Sequence, residues 1–187
     1  MIPRILYLHG FGSCGDSNKS RILREYFGED QIFSPDLPYA PVDAISYIDG
    51  LIKTKSIDML IGSSLGGFYA TYFAEKYTLP AVLLNPSVTP WQTLATHIGW
   101  QERFCDREIF EFKEVYLRQL EGLQQEPLKG KYLVLLQSDD EVLDYRVARF
   151  FYKKHKVVVE YGGNHRFENI DCYISMIKRF GSQNECR

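Results

Sequence analysis

The chain lacks the marks of several large protein classes. Only four of its 187 residues are cysteine, Cys14, Cys105, Cys172 and Cys186, and no two are spaced C-x-x-C. That argues against a zinc ribbon or a disulfide framework and fits reduced thiols in a cytoplasm. No run of about 18 apolar residues occurs, so no membrane-spanning helix is expected. The first eight residues have neither the apolar stretch nor the small-residue cleavage site of a secretory signal. Net charge is −2 with both signs intermixed, whereas a nucleic-acid surface needs a basic excess on one face. There is no internal repeat, low-complexity tract or linker. What remains is 45% hydrophobic and 25% charged, an ordinary globular balance. The length suits one domain spanning residues 1–187. At that size folding buries roughly 70% of the unfolded surface, enough for a real core.

Short apolar runs alternate with amphipathic stretches. Strands are expected at Ile5–Leu8, Gln31–Ser34, Asp58–Ile61, Ala81–Asn85, Tyr132–Gln137 and Val157–Tyr161. Several, such as "AVLLN" and "YLVLLQ", are almost continuously apolar, as strands covered on both faces are. Helices are expected at Lys19–Phe27, Val42–Lys55, Leu65–Tyr77, Tyr145–His155 and Ile170–Phe180. The β-α-β rhythm predicts a three-layer α/β/α domain with about six parallel strands. Residues of about 87–125 break the rhythm. They hold Trp91, Trp100, Phe104 and Tyr116 and read as a short helical insertion, with helices near 91–97 and 107–123.

Gly10-Phe11-Gly12-Ser13-Cys14-Gly15 is a literal G-x-G-x-x-G after a strand, and Asp36 lies 21 positions beyond Gly15. On paper that is a dinucleotide fingerprint. It fails in context. A dinucleotide site starts its helix inside the glycine motif, whereas here the polar stretch "DSNKS" intervenes. Asp36 also stands between Pro35 and Pro38, in a turn. No cofactor and no metal are therefore expected.

A second motif gives the first loop another use. Gly62-Ser63-Ser64-Leu65-Gly66 is G-x-S-x-G between an apolar strand and an amphipathic helix, the context of a nucleophile elbow. A serine nucleophile needs a base and an orienting acid. The order serine, acid, histidine leaves one good base among four histidines, His165, in the glycine loop "EYGGNHRFEN". The acid should follow the strand at Tyr132–Gln137, where "QSDDEVLDYR" offers Asp140, with Asp139 as the alternative and Asp144 as a helix cap. The backbone N–H groups of Phe11 and Leu65 are the candidate oxyanion donors, with Gly12 beside the first. His9 is expected to brace its loop by hydrogen bonding.

Taken together, "ILYLHGFGS", "PDLPYAP", "IGSSLGGFYA", "LLNPSV", "DDEVLDY" and "GGNHRF" resemble the α/β-hydrolase superfamily and, more closely, small bacterial YqiA-type esterases. The resemblance runs from the first strand to the last loop. It implies a minimal α/β-hydrolase fold with Ser64 as nucleophile, His165 as base and Asp140 as acid. It also implies cleavage of a small-molecule acyl ester or thioester without a cofactor. Two other readings share these residues: a non-catalytic binding protein on the same fold, and a C–C bond hydrolase using the same triad. Oligomeric state is not legible.

Overall fold

The computed structural model describes residues 2–182. Six strands form one parallel sheet: β1 (Ile5–Leu8), β2 (Ile32–Phe33), β3 (Met59–Ser63), β4 (Pro80–Leu84), β7 (Lys131–Gln137) and β8 (Lys156–Glu160). Between β4 and β7 lie β5 (Gly99–Glu102) and β6 (Ile109–Phe112), which pair only with each other as an antiparallel ribbon. The sheet order is β2-β1-β3-β4-β7-β8. The chain leaves β1 toward one edge and β3 toward the other. Loops at the carboxyl ends of β1 and β3 therefore diverge around a crevice, the usual ligand position in open α/β sheets.

Strand alternation builds both faces. Leu6, Leu60, Leu83, Val134 and Leu136 point to one side. They are covered by α2 (Pro41–Lys55), α3 (Leu65–Tyr77) and α6 (Tyr145–Phe151) through residues such as Ile48, Phe73 and Tyr152. Ile5, Tyr7, Ile61, Val82 and Leu135 point to the other, covered by α1 (Asn18–Phe27) and α7 (Ile174–Ser182) through Leu23, Phe27, Ile174 and Ile177. Sequestering each such side chain contributes about 1.5–3 kcal/mol. The three-layer arrangement with six parallel strands is the expected one. No helix among the described residues is long and apolar enough to cross a membrane.

Helix starts follow local chemistry. Ser17 caps α1 in a reciprocal capping box with Ser20. Pro41 occupies the first turn of α2, where its missing N–H costs nothing. Asp144 caps α6 by accepting from Arg146 N–H at 3.0 Å, as expected. The last helix is shorter than the sequence suggests, because residues Ile170–Tyr173 form a 3-10 turn before α7 begins.

Two expectations need correcting. The insertion is not purely helical. It begins with the one-turn α4 (Pro90–Thr93) and a 3-10 turn, continues as the β5–β6 ribbon, and ends in α5 (Glu114–Gly122). The helix expected over 107–123 is thus half strand, since Phe110 and Phe112 are buried while Ile109 and Glu111 face out. Nor are all thiols free. Cys14, in the loop after β1, is bonded to Cys105 at the ribbon turn across a Cα separation of 6.4 Å. Cys172 is free and exposed, and Cys186 lies outside the described residues.

Candidate active site

The elbow forms because its residues leave room for nothing larger than glycine. A Cβ on Gly66 would run into the Leu8 and His9 carbonyl oxygens of the neighbouring strand, and one on Gly62 into the Gly66 carbonyl. With those contacts open, β3 turns sharply into α3 and puts Ser64 at φ 54°, ψ −120°. A side chain held at such angles costs about 1–3 kcal/mol and persists only where its surroundings enforce it. Here Ser64 N–H donates to Leu84 O at 3.1 Å, and Ser64 O accepts from Ser87 N–H at 3.0 Å. Ser63 is buried within β3, and its hydroxyl is paired with the phenol of Tyr7. Burial pushes that phenol up to about 12.

His165 meets Ser64 from the loop after β8. Its Nε2 lies 3.0 Å from Ser64 Oγ, and its Nδ1 lies 2.9 and 2.8 Å from the two carboxylate oxygens of Asp140. With the carboxylate accepting from Nδ1–H, Nε2 is left to accept from the serine hydroxyl. Asp140's side chain is only 2% exposed. Its Oδ1 also accepts from Val142 N–H at 2.9 Å and Leu143 N–H at 2.8 Å. The apolar pair after Asp140 thus aims the carboxylate through its backbone amides. Asp139 is exposed and accepts from the Ser138 hydroxyl at 2.8 Å.

The histidine loop rests on a buried polar frame that the sequence did not announce. Gln137, at the end of β7, is 1% exposed. Its Oε1 accepts from Asn164 N–H at 2.9 Å, and its Nε2 donates to Glu160 at 2.6 Å and Asn169 at 2.7 Å. Asn85 Oδ1 accepts from Gln137 N–H at 2.9 Å, and its Nδ2 donates to Asn164 O at 3.0 Å. Gly163 passes so close to the Gln137 amide that a Cβ would overlap it, and its φ of +80° suits glycine alone. Glu141 adds a tether by accepting from His165 N–H at 2.9 Å, a bond that holds its carboxyl below the usual range.

The loop after β1 closes the other side. A Cβ on Gly10 would stand 3.7 Å from Ser64 Oγ. The Phe11 ring is wedged edge-on against His97, Phe110 and Phe112 at centroid distances of 5.4, 5.6 and 5.0 Å, which fixes the backbone there. Phe11 N–H and Leu65 N–H have no backbone acceptor among the described residues. His9 braces the loop as expected: Leu37 N–H donates to its Nε2 at 3.0 Å, leaving Nδ1–H to donate to Gly10 O at 2.9 Å. Burial pushes this imidazole below its ordinary 6.5. Asp36, the acid of the apparent dinucleotide fingerprint, accepts from Gly15 N–H at 2.7 Å and from Arg103 at 3.0 Å.

Of the insertion aromatics, only Phe104 reaches the site. Trp91 packs on Phe68, Tyr116 on Phe112, and Trp100 is exposed. Arg103 is spent on Asp36, Asp106 and Glu108, and Arg107 on Glu102. Arg118 lies on the exposed face of α5. Two hollows open on Ser64 and His165, one largely apolar and one lined by Asn18, Lys19, Glu141, Arg166 and Glu168. Lys19 donates to Arg166 O, and burial draws its ammonium down to about 8. No cluster of three His, Cys, Asp or Glu side chains able to hold a metal occurs among the described residues.

The chain is similar in structure to a monoacylglycerol lipase from Paleococcus ferrophilus, with a TM-score of 0.75 at 15% identity over 97% of this chain and 96% of that one. Est1E from Butyrivibrio proteoclasticus, solved with ferulic acid bound, gives 0.74 at 16% identity over 99% and 90%. These likenesses establish the α/β-hydrolase fold. In sequence, the UPF0227 protein of Serratia proteamaculans is 25% identical over 189 residues, 94% of this chain and 97% of that protein. The model of the Uncharacterised protein family UPF0227 matches residues 4–182, and the chain belongs to that family.

Proposed function

We propose that the protein is a serine hydrolase that cleaves carboxylic esters or thioesters through an acyl-enzyme. One observation carries the reading: the continuous hydrogen-bonded chain Asp140–His165–Ser64, ending on a serine strained at the tip of the β3–α3 elbow. The neighbour named as a monoacylglycerol lipase supports it.

In this mechanism Ser64 Oγ attacks the acyl carbonyl while His165 Nε2 takes its proton. Asp140 holds the imidazole tautomer and stabilises the cation. The carbonyl oxygen, now negative, is received by the Phe11 and Leu65 N–H groups, and the start of α3 adds its positive dipole end. Each such donor is worth roughly 3–4 kcal/mol to the transition state. The bond to the leaving oxygen or sulfur breaks, and His165 delivers the proton to it. Water then attacks the acyl-enzyme, giving its proton to His165, and the carboxylic acid departs as Ser64 regains its hydrogen. No step uses a metal or cofactor.

Labelling with a fluorophosphonate probe tests the reading. Ser64 should be modified stoichiometrically in the native protein and not in Ser64→Ala. That variant should fold normally and lose about 10^4- to 10^6-fold in kcat on a p-nitrophenyl ester. Near-normal turnover by Ser64→Ala would remove the nucleophile from the proposal. Failure of the native protein to label would favour a non-catalytic binding protein.

A further inference from the structure

The two hollows at Ser64 differ in size and in the chemistry of their lining, and that difference bears on the two halves of the substrate. The smaller, about 160 Å³, is lined by Phe11, Leu65, Leu94, His97, Phe104 and Leu143, so carbon surrounds most of it. The larger, about 620 Å³, carries Asn18, Lys19, Glu141, Arg166 and Glu168. Ser64, His165, Phe11, Phe104 and Val142 border both.

We infer that the apolar hollow under Leu94 and Phe104 is the acyl subsite, that it accepts a chain of about six carbons, and that the charged cleft takes the departing alcohol or thiol. This rests on the acyl-enzyme reading above. In that chemistry the acyl half stays on Ser64 through two steps, whereas the leaving half must exit after the first. The smaller, apolar hollow suits the group that is retained. A wide polar cleft suits the group that leaves and the water that follows it. Size sets the chain length: a dry apolar cavity of about 150 Å³ holds one benzene ring, so about six carbons fill this one. Up to that point each methylene taken out of water should raise kcat/KM about fourfold. Beyond it, added carbons meet the Leu94 and Phe104 walls or remain in water.

Leu94 sits in the wall just after α4, while Thr93 lies at the rim, exposed, with its hydroxyl paired to Ser87 Oγ at 3.5 Å. A bulky residue at Thr93 should therefore block the hollow without disturbing the core. Besides His165, His97 puts an imidazole in the wall, held by edge-on contact with Phe11.

The test is a series of p-nitrophenyl esters from acetate to dodecanoate, with the leaving group constant. It is run on the native protein, Thr93→Phe and Leu94→Ala, each first titrated with fluorophosphonate at Ser64. Native kcat/KM should climb to a maximum near hexanoate and fall at least tenfold by dodecanoate. Thr93→Phe should lower hexanoate cleavage at least tenfold and acetate cleavage less than threefold. Leu94→Ala should move the maximum about two carbons longer. Hexyl acetate, with a six-carbon chain on the leaving side instead, should respond to Thr93→Phe less than threefold.

Ser64 labelling with a flat chain-length profile would overturn the subsite and leave the hydrolase reading intact. So would a Thr93→Phe effect confined to hexyl acetate, which would reverse the two halves. Absence of labelling would overturn the hydrolase reading and the subsite with it.

Discussion

Asp139 and Asp140 are neighbours of identical chemistry, and only one turns inward. The order serine, acid, histidine narrows the acid to Asp139, Asp140, Glu141 and Asp144 after one strand, and the apolar pair after Asp140 favours it, with Asp139 the alternative. Choosing between them needs the path of the turn. Two amides, Val142 and Leu143, converge on Asp140 Oδ1 and aim its carboxylate at His165. Asp140→Asn should lower kcat about 10^4-fold by favouring the wrong imidazole tautomer, whereas Asp139→Asn should change it less than threefold; steady-state kinetics on one ester decide. The tether from Glu141 and the frame around Gln137 were illegible for a related reason, since their partners lie 23 to 79 residues away and no local pattern marks them. His9 offers a prediction in pH. Its folded pKa lies below 6.5 while the unfolded chain titrates near 6.5. In the window just below 6.5 the unfolded state binds the proton and the folded state does not, so stability is lost as the pH drops through it. Urea unfolding at pH 7.5 and 5.5 should show a smaller loss on acidification for His9→Gln than for the native chain.

Elements whose period was clear were read well. The strand–elbow–helix unit at 59–77 has the apolar run, the glycine pair and the helix where the sequence puts them, but the helix is not amphipathic: residues 66–71 and 73–75 are all buried. The insertion misled because two periods meet in it. "IFEF" alternates every second residue, burying Phe110 and Phe112, but it runs straight into the helical spacing of 114–122 and was absorbed by it. The ribbon's attachment is also a tertiary matter. Phe104 N–H donates to Gly12 O at 2.8 Å, and Arg103 pairs with Asp36 in the loop after β2. Arg103 pairs with Asp36, Asp106 and Glu108 together. Arg103→Met should leave those carboxylates repelling one another and loosen the ribbon. Limited proteolysis within residues 99–112 should then quicken at least fivefold, with kcat/KM for a six-carbon ester falling because Phe104 no longer holds its wall.

At the scale of the molecule, the layer order followed from strands apolar on both faces and from the helices between them, and the structure has that order. What composition did not convey was the link between Cys14 and Cys105, because spacing of 91 residues matches no motif. A cross-link over a loop of that length should stabilise by about 4–5 kcal/mol in the chain-entropy account. Urea midpoints with and without dithiothreitol should therefore differ in the native chain and coincide in Cys14→Ser. The closed ring of chain also has an arithmetic of its own: it includes Ser64 and leaves Asp140 and His165 outside. A single peptide-bond nick anywhere between residues 14 and 105 would yield two fragments that migrate as one band without reductant and as two with it. The nicked species would still carry every group needed for turnover on one covalent body.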